Sequence, residues 1–313
     1  MSVVRSAAPE AAGPARAARA SRLALLALFL GGVVLAFTGI FIKLSEIGPT
    51  ATGFQRHLLS APILWLWLRM ERRRTEPAEA GGFRAPSGMA DYLDLTLAAT
   101  LFGLNTAAWC WCMKFTSVAN GSLIANTSPI FVALGAWLLL GERFTRIFLA
   151  GLALSILGVA VLMSRSVSLG GELLLGDLLA VIASLLWGAY MLAVQRLRRR
   201  FTTATIMTWT AVVSAALLLV AALAAGESLI PRTLAGWEAI LGLALVSHAG
   251  GQSLVAYALA QLPASFSSVG LLIQPVYATI AAWITLGETP GPLQAIGGAI
   301  VLAGIVVARR GSR

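Results

Sequence analysis

Pro129, Ala136, Trp137, Leu140, Gly141 and Glu142 recur in the same order and spacing as Pro275, Ala282, Trp283, Leu286, Gly287 and Glu288. The same offset, about 146 residues, carries Gly151, Ala153 and Gly158 onto Gly297, Ala299 and Gly304. Each copy holds about five apolar stretches long enough to cross a bilayer. Because five is odd, the second copy must insert upside down relative to the first, the architecture of inverted-repeat carriers.

The apolar spans run from 22 to 43, 50 to 69, 95 to 113, 118 to 140 and 146 to 163, then 174 to 195, 203 to 225, 237 to 260, 265 to 286 and 291 to 308. They predict an all-α membrane protein with ten transmembrane helices, arranged as two inverted five-helix repeats around a central cavity. The expected organisation is a disordered cytoplasmic tail over 1–21, a first repeat over 22–165, a second over 173–308 and a short basic tail over 309–313. Composition agrees: 58% of residues are hydrophobic, 12% are charged and mean hydropathy is +0.84. A soluble domain, with roughly a quarter of its residues charged, has no use for so much apolar surface. The runs lack period-two alternation and exceed the length of barrel strands, which excludes a β-barrel.

The net charge of +10 would suit nucleic acid if the basic residues formed a patch, but they alternate with the loops. Arg5, Arg16, Arg19 and Arg22 precede the first span, and Arg69, Arg72, Arg73, Arg74 and Arg84 follow the second. Arg143 and Arg146, then Arg196, Arg198, Arg199 and Arg200, then Arg309, Arg310 and Arg313 continue the series. The opposite side holds Lys43, Lys114, Arg165 and Arg232. The positive-inside rule therefore places both termini in the cytoplasm, with the lipid bilayer rather than nucleic acid as the surrounding partner. A cleaved signal peptide is disfavoured, since the first apolar run exceeds the usual 7 to 15 residues. Cys110 and Cys112 are two positions apart on one helix and turn to different faces, so neither a disulfide nor a metal site follows.

Polar side chains near mid-span are costly in lipid and mark the bundle interior. They are Asn105, Asn126, Ser128, His248, Gln252 and Gln274. Ser128 and Gln274 are repeat equivalents, each just before a mid-span proline, Pro129 or Pro275. Proline removes a backbone donor and leaves a carbonyl one turn earlier without its helical partner, so both are candidate hinges with free carbonyls beside a polar cavity. Kinks and interhelical amide bonds alone are the simpler explanation for any one of these residues; shared depth and symmetry favour a site. Trp187 and Tyr190, with Trp109, Tyr257 and Tyr277 as weaker candidates, offer rings that could stack on a ligand.

Arg56 is a charge several residues inside the second span, where about 2.5 to 3.5 kcal/mol opposes a central Arg. It either attracts a substrate carboxylate or bonds to carbonyls of neighbouring helices. No Asp or Glu lies near a span centre, so a carboxylate proton relay is missing. A neutral, zwitterionic or anionic small-molecule substrate suits that inventory better than a lipophilic cation. With two histidines, His57 and His248, no central acid and no HExxH, an intramembrane enzyme is disfavoured. Gly151 with Gly158, and Gly297 with Gly304, give the fifth and tenth spans smooth faces, available for packing within the chain or for a homodimer.

These features together resemble the drug/metabolite transporter superfamily, specifically its EamA-type family. The resemblance rests on Pro129 with Leu140-Gly141-Glu142, Pro275 with Leu286-Gly287-Glu288, Arg56 near the start of the second span, and Leu186-Trp187-Gly188 in the sixth. It covers residues 22 to 308. The first repeat departs from the pattern, with Ala36-Phe37-Thr38-Gly39 where Trp-Gly is expected, and Trp209 stands roughly where symmetry would put a second Arg56. The resemblance implies a ten-helix carrier, often an exporter of amino acids or related metabolites, working by alternating access in the plasma membrane without a cofactor. Carriers of organic anions or cofactors share the scaffold, and a non-transporting scaffold or sensor is the other alternative.

Overall fold

The computed structural model describes residues 14–74, 84–128, 130–132, 134–135, 145–261 and 273–311. All regular structure among them is helical. The elements are α1 (Pro14–Ala36), α2 (Thr38–Leu44), α3 (Pro49–Arg74), α4 (Met89–Phe115), α5 (Val118–Ala125), α6 (Arg146–Leu169), α7 (Gly171–Leu197), α8 (Thr203–Ala224) and α9 (Leu234–Leu241). A π-helix (Gly242–Gly251), α10 (Gln252–Gln261), α11 (Ile273–Leu286) and α12 (Pro292–Gly311) follow. Among the described residues, five stretches are long and apolar enough to cross a membrane: Leu23–Leu44, Met89–Phe115, Arg146–Ser164, Gly171–Leu197 and Thr203–Ala224. Outward-facing Leu26, Ile156, Leu157, Val220 and Leu223 are each more than half exposed, the apolar exterior that lipid rather than water would cover.

Local chemistry sets the helix ends. Ser117, Thr202 and Thr233 accept hydrogen bonds from the backbone N–H three residues on, capping α5, α8 and α9. Gly226, at φ 66°, follows the end of α8, a left-handed position that glycine occupies at no steric cost. Helix α1 begins at Pro14; Ala and Arg are strong helix formers, and proline suits the first turn. Three expectations about the spans are corrected. The first span breaks at Phe37 into α1 and α2, the fourth turns at Asn126 and Thr127, and the eighth contains ten residues of π-helix.

Packing is pairwise. α6 lies along α12, α4 along α7, α3 along α8, and α1 along the π-helix and α10, while α11 rests mainly on α1, α2 and α5. The α6–α12 seam uses the recurrent glycines: a Cβ on Gly151 would lie 2.1 Å from the backbone nitrogen of Ala308, and one on Gly158 would lie 2.6 Å from that of Val301. The smooth faces of α6 and α12 pack against each other within the chain.

Candidate functional site

Arg56 and His57 sit two turns into α3, on the stretch that faces α4 and the π-helix. Arg56 is 6% exposed and His57 is fully buried. The guanidinium reaches His248 on the π-helix, with both Nε and a terminal nitrogen 3.3 Å from His248 Nδ1. Arg has no lone pair to offer, so Nδ1 is the acceptor and His248 is the neutral tautomer carrying its proton on Nε2. No carboxylate among the described residues pairs with Arg56.

The two histidine rings meet edge to face with centroids 5.1 Å apart. Phe102 on α4 lies against both, 5.3 Å from His57 and 6.0 Å from His248. On its other side it meets Trp187 at 5.6 Å and Tyr190 at 4.7 Å, both on α7. Four elements thus converge on a basic pair walled by rings. His57 Nε2 is 3.1 Å from Thr106 Oγ1, whereas its Nδ1 is buried with no partner; an unsatisfied buried polar atom costs about 1–3 kcal/mol. The π-helix is the backbone device that presents His248. Its wider turn shifts the side chains that follow, and such segments are common where a functional group must be aimed.

Of the residues singled out from the sequence, Arg56, His248, Trp187 and Tyr190 come together. Asn105 lies one turn beyond Phe102, but its amide donates to the Ala183 carbonyl on α7 at 2.7 Å, so it braces the α4–α7 seam. Gln252 follows His248 by one turn and is half-buried. Gln274 and Ser128 are also half-buried; Gln274 is on α11, whose main neighbours are not those of the basic pair. Pro275 is buried beside an apolar groove of about 310 Å³ lined by Leu123, Thr279 and Leu302. Pro129 lies outside the described residues. The carbonyl one turn before it, on Ala125, is not free: Ser184 Oγ on α7 donates to it at 3.3 Å. His57 and Phe102 were missed. The signal for His57 is its place beside Arg56 inside a membrane span; nothing in the sequence distinguishes Phe102 from other core aromatics.

Four acids lie instead at the end where α3, α5 and α9 begin. Glu227 accepts from the Ala51 N–H at 2.6 Å, capping α3 from the loop after α8. Glu46 accepts from the N–H groups of Arg232 and Thr233, capping α9 from the loop after α2. Glu288 accepts from the Val118 N–H at 2.8 Å and pairs with Lys43 at 2.7 Å. Asp177 on α7 takes the Thr116 hydroxyl at 2.7 Å and the Asn120 amide at 2.8 Å. At the opposite end Asp91 is shared by Arg84 and Arg200. Among the described residues no cluster of three metal-ligating side chains occurs.

The sequence pattern of the EamA-like transporter family matches this chain twice, over residues 22–164 and 174–310. The chain belongs to the EamA-like transporter family. It is accordingly a multi-pass membrane protein of a transporter family. A relative from Archaeoglobus fulgidus, described as an uncharacterized transporter, is 30% identical over 90% of this chain and 95% of its own length. A probable terminal-alkyne amino-acid exporter of Streptantibioticus cattleyicolor is 29% identical over 64% of this chain and 67% of its own. The pseudopaline exporter CntI of Pseudomonas aeruginosa is 26% identical over 69% and 74%. A solved crystal structure aligns with a TM-score of 0.62 at 18% identity, over 91% of this chain and 96% of the other, and so has the same fold.

Proposed function

We propose that this EamA-family chain is a secondary transporter that moves a small amino-acid-like carboxylate out of the cell by alternating access. The observation that carries this reading is Arg56, a buried guanidinium with no acidic partner among the described residues. A buried charge left unpaired is expensive, and a substrate carboxylate would supply the missing partner with paired, charge-assisted hydrogen bonds. The rings of Phe102, Trp187 and Tyr190 offer an adjoining apolar wall for a hydrophobic or aromatic side chain. Outward direction is favoured because two relatives are named as exporters, one of them for an amino acid.

Ten membrane-crossing helices in two inverted repeats accommodate this activity. Shifting the α4–α7 contact by the repeat offset gives the contact of the π-helix and α10 with α1, while the α3–α8 and α6–α12 contacts map onto themselves. Such exchange is what a two-fold axis relating the halves produces, and an odd number of spans per half favours an axis in the membrane plane. The basic loops then face the cytoplasm of a plasma membrane, and the acid-capped end faces outward. Counterflow in proteoliposomes tests the reading. Labelled L-phenylalanine, L-tryptophan or L-leucine should exchange, whereas L-phenylalaninamide, which lacks the carboxylate, should not. Flux that ignores the carboxylate would sink the proposal.

A further inference from the structure

His248 Nδ1 has a single lone pair, and in this structure Arg56 occupies it. That geometry excludes a proton: an imidazolium would present an N–H to the guanidinium, and two cations would meet in a buried site. A carboxylate changes the competition. Its two oxygens match the guanidinium fork far better than one imidazole nitrogen does, so Arg56 turns to the substrate and the lone pair of His248 is released beside a fresh negative charge.

We propose that His248 Nδ1 is a proton site opened by the substrate, so that one proton binds with each carboxylate and leaves the cell with it, the outward substrate gradient driving both. The proton comes from water on the side where substrate enters and leaves with it on the other. The inference rests on the carboxylate reading of Arg56 and adds a second ligand to it. The groups facing His248 agree. Arg56 and His57 come from α3, Phe102 from α4 with Cys110 further along that helix near Arg56, and Tyr190 from α7 lies behind Phe102. The other elements packed on the π-helix carry Arg16, Arg19 and Arg22 on α1, Lys43 of α2 paired with Glu288, Glu238 on α9 and Tyr257 on α10. No carboxylate or lysine among the described residues hydrogen-bonds or ion-pairs with His248, so the substrate is the anion that can stabilise its charged form. The orphaned Nδ1 of His57 gives a third contact: with Thr106 donating to Nε2, His57 presents an N–H that a carboxylate oxygen satisfies. Linkage makes the effect reciprocal, so protonation tightens substrate binding by the same factor that substrate favours protonation.

The test uses the purified full-length protein in detergent, weakly buffered with a pH indicator, and L-phenylalanine adjusted to the same pH. Binding should withdraw about one proton per molecule bound near neutral pH, and the dissociation constant should fall by up to about tenfold per pH unit between about pH 8 and 5. L-phenylalaninamide should withdraw none. In His248→Gln the pH slope of whatever binding remains should vanish; should that variant not fold, the comparison of amino acid with amide on the unaltered protein still decides. Binding of L-phenylalanine with no proton uptake, or with proton release, overturns the coupling and leaves the carboxylate site standing. Absence of L-phenylalanine binding overturns both.

Discussion

The acid-capped end and the basic centre satisfy their charges in opposite ways. At the end, Glu46, Glu227, Glu288 and Asp177 each accept from backbone or side-chain donors on another segment. Every one of these contacts ties segments distant in sequence, and the helix N-termini add a favourable dipole. In the centre, Arg56 leans on a neutral histidine and His57 keeps a ring nitrogen unpaired. Charges satisfied by the protein hold a structure together; charges left waiting are suited to a ligand. The two regions should therefore fail differently when altered.

The largest expected effect is functional. Arg56→Gln should lower counterflow by more than about tenfold without lowering the thermal midpoint, because it removes a buried charge that the chain itself does not neutralise. A fall in both would erase the contrast. Asp177→Ala should do the reverse in kind, leaving the Thr116 hydroxyl and the Asn120 amide without their acceptor and costing about 1–3 kcal/mol in reversible unfolding. Glu227→Ala should cost about 0.5–2 kcal/mol through the lost cap on α3; no change in thermal midpoint would show that the crossing is incidental. The smallest effect concerns Glu46. Hydrogen bonds from the Thr233 backbone, the Thr233 hydroxyl and the Arg232 backbone hold its carboxyl below the usual carboxylate range. A depressed carboxyl stabilises the fold above its unfolded value, about 4.3, and that contribution is lost as pH falls through the folded value. The midpoint difference between the wild type and Glu46→Gln should therefore shrink on acidification below about pH 4; a constant difference would show that charge at Glu46 plays no part.

Much of the scaffold was legible in the chain. The span boundaries of α7 and α8 fall within three residues of expectation because runs of apolar residues between polar loops leave few alternatives. Arg56 stood out for the same reason: one charge in an apolar run is visible without coordinates. What remained hidden depended on register between segments far apart in sequence. Sequence alone casts Asn105 as a ligand-binding amide and leaves the carbonyl one turn before Pro129 free, yet Ala183 and Ser184 on α7 claim them. The π-helix was illegible because Gly242–Gly251 differs from an α-helical run only in how its backbone is bonded.

Sequence by itself determined that this chain is helical, lives in lipid, is built from two related halves and hides a cation within one of them. Hydropathy, charge placement and repetition are written one residue at a time, so they survive without coordinates. Tertiary structure alone decided that Arg56 meets His248 rather than an acid, that His57 and Phe102 join it, and that the glycine seams close on each other. Those outcomes depend on which faces of distant helices touch, and side-chain direction is fixed only when the helices pack.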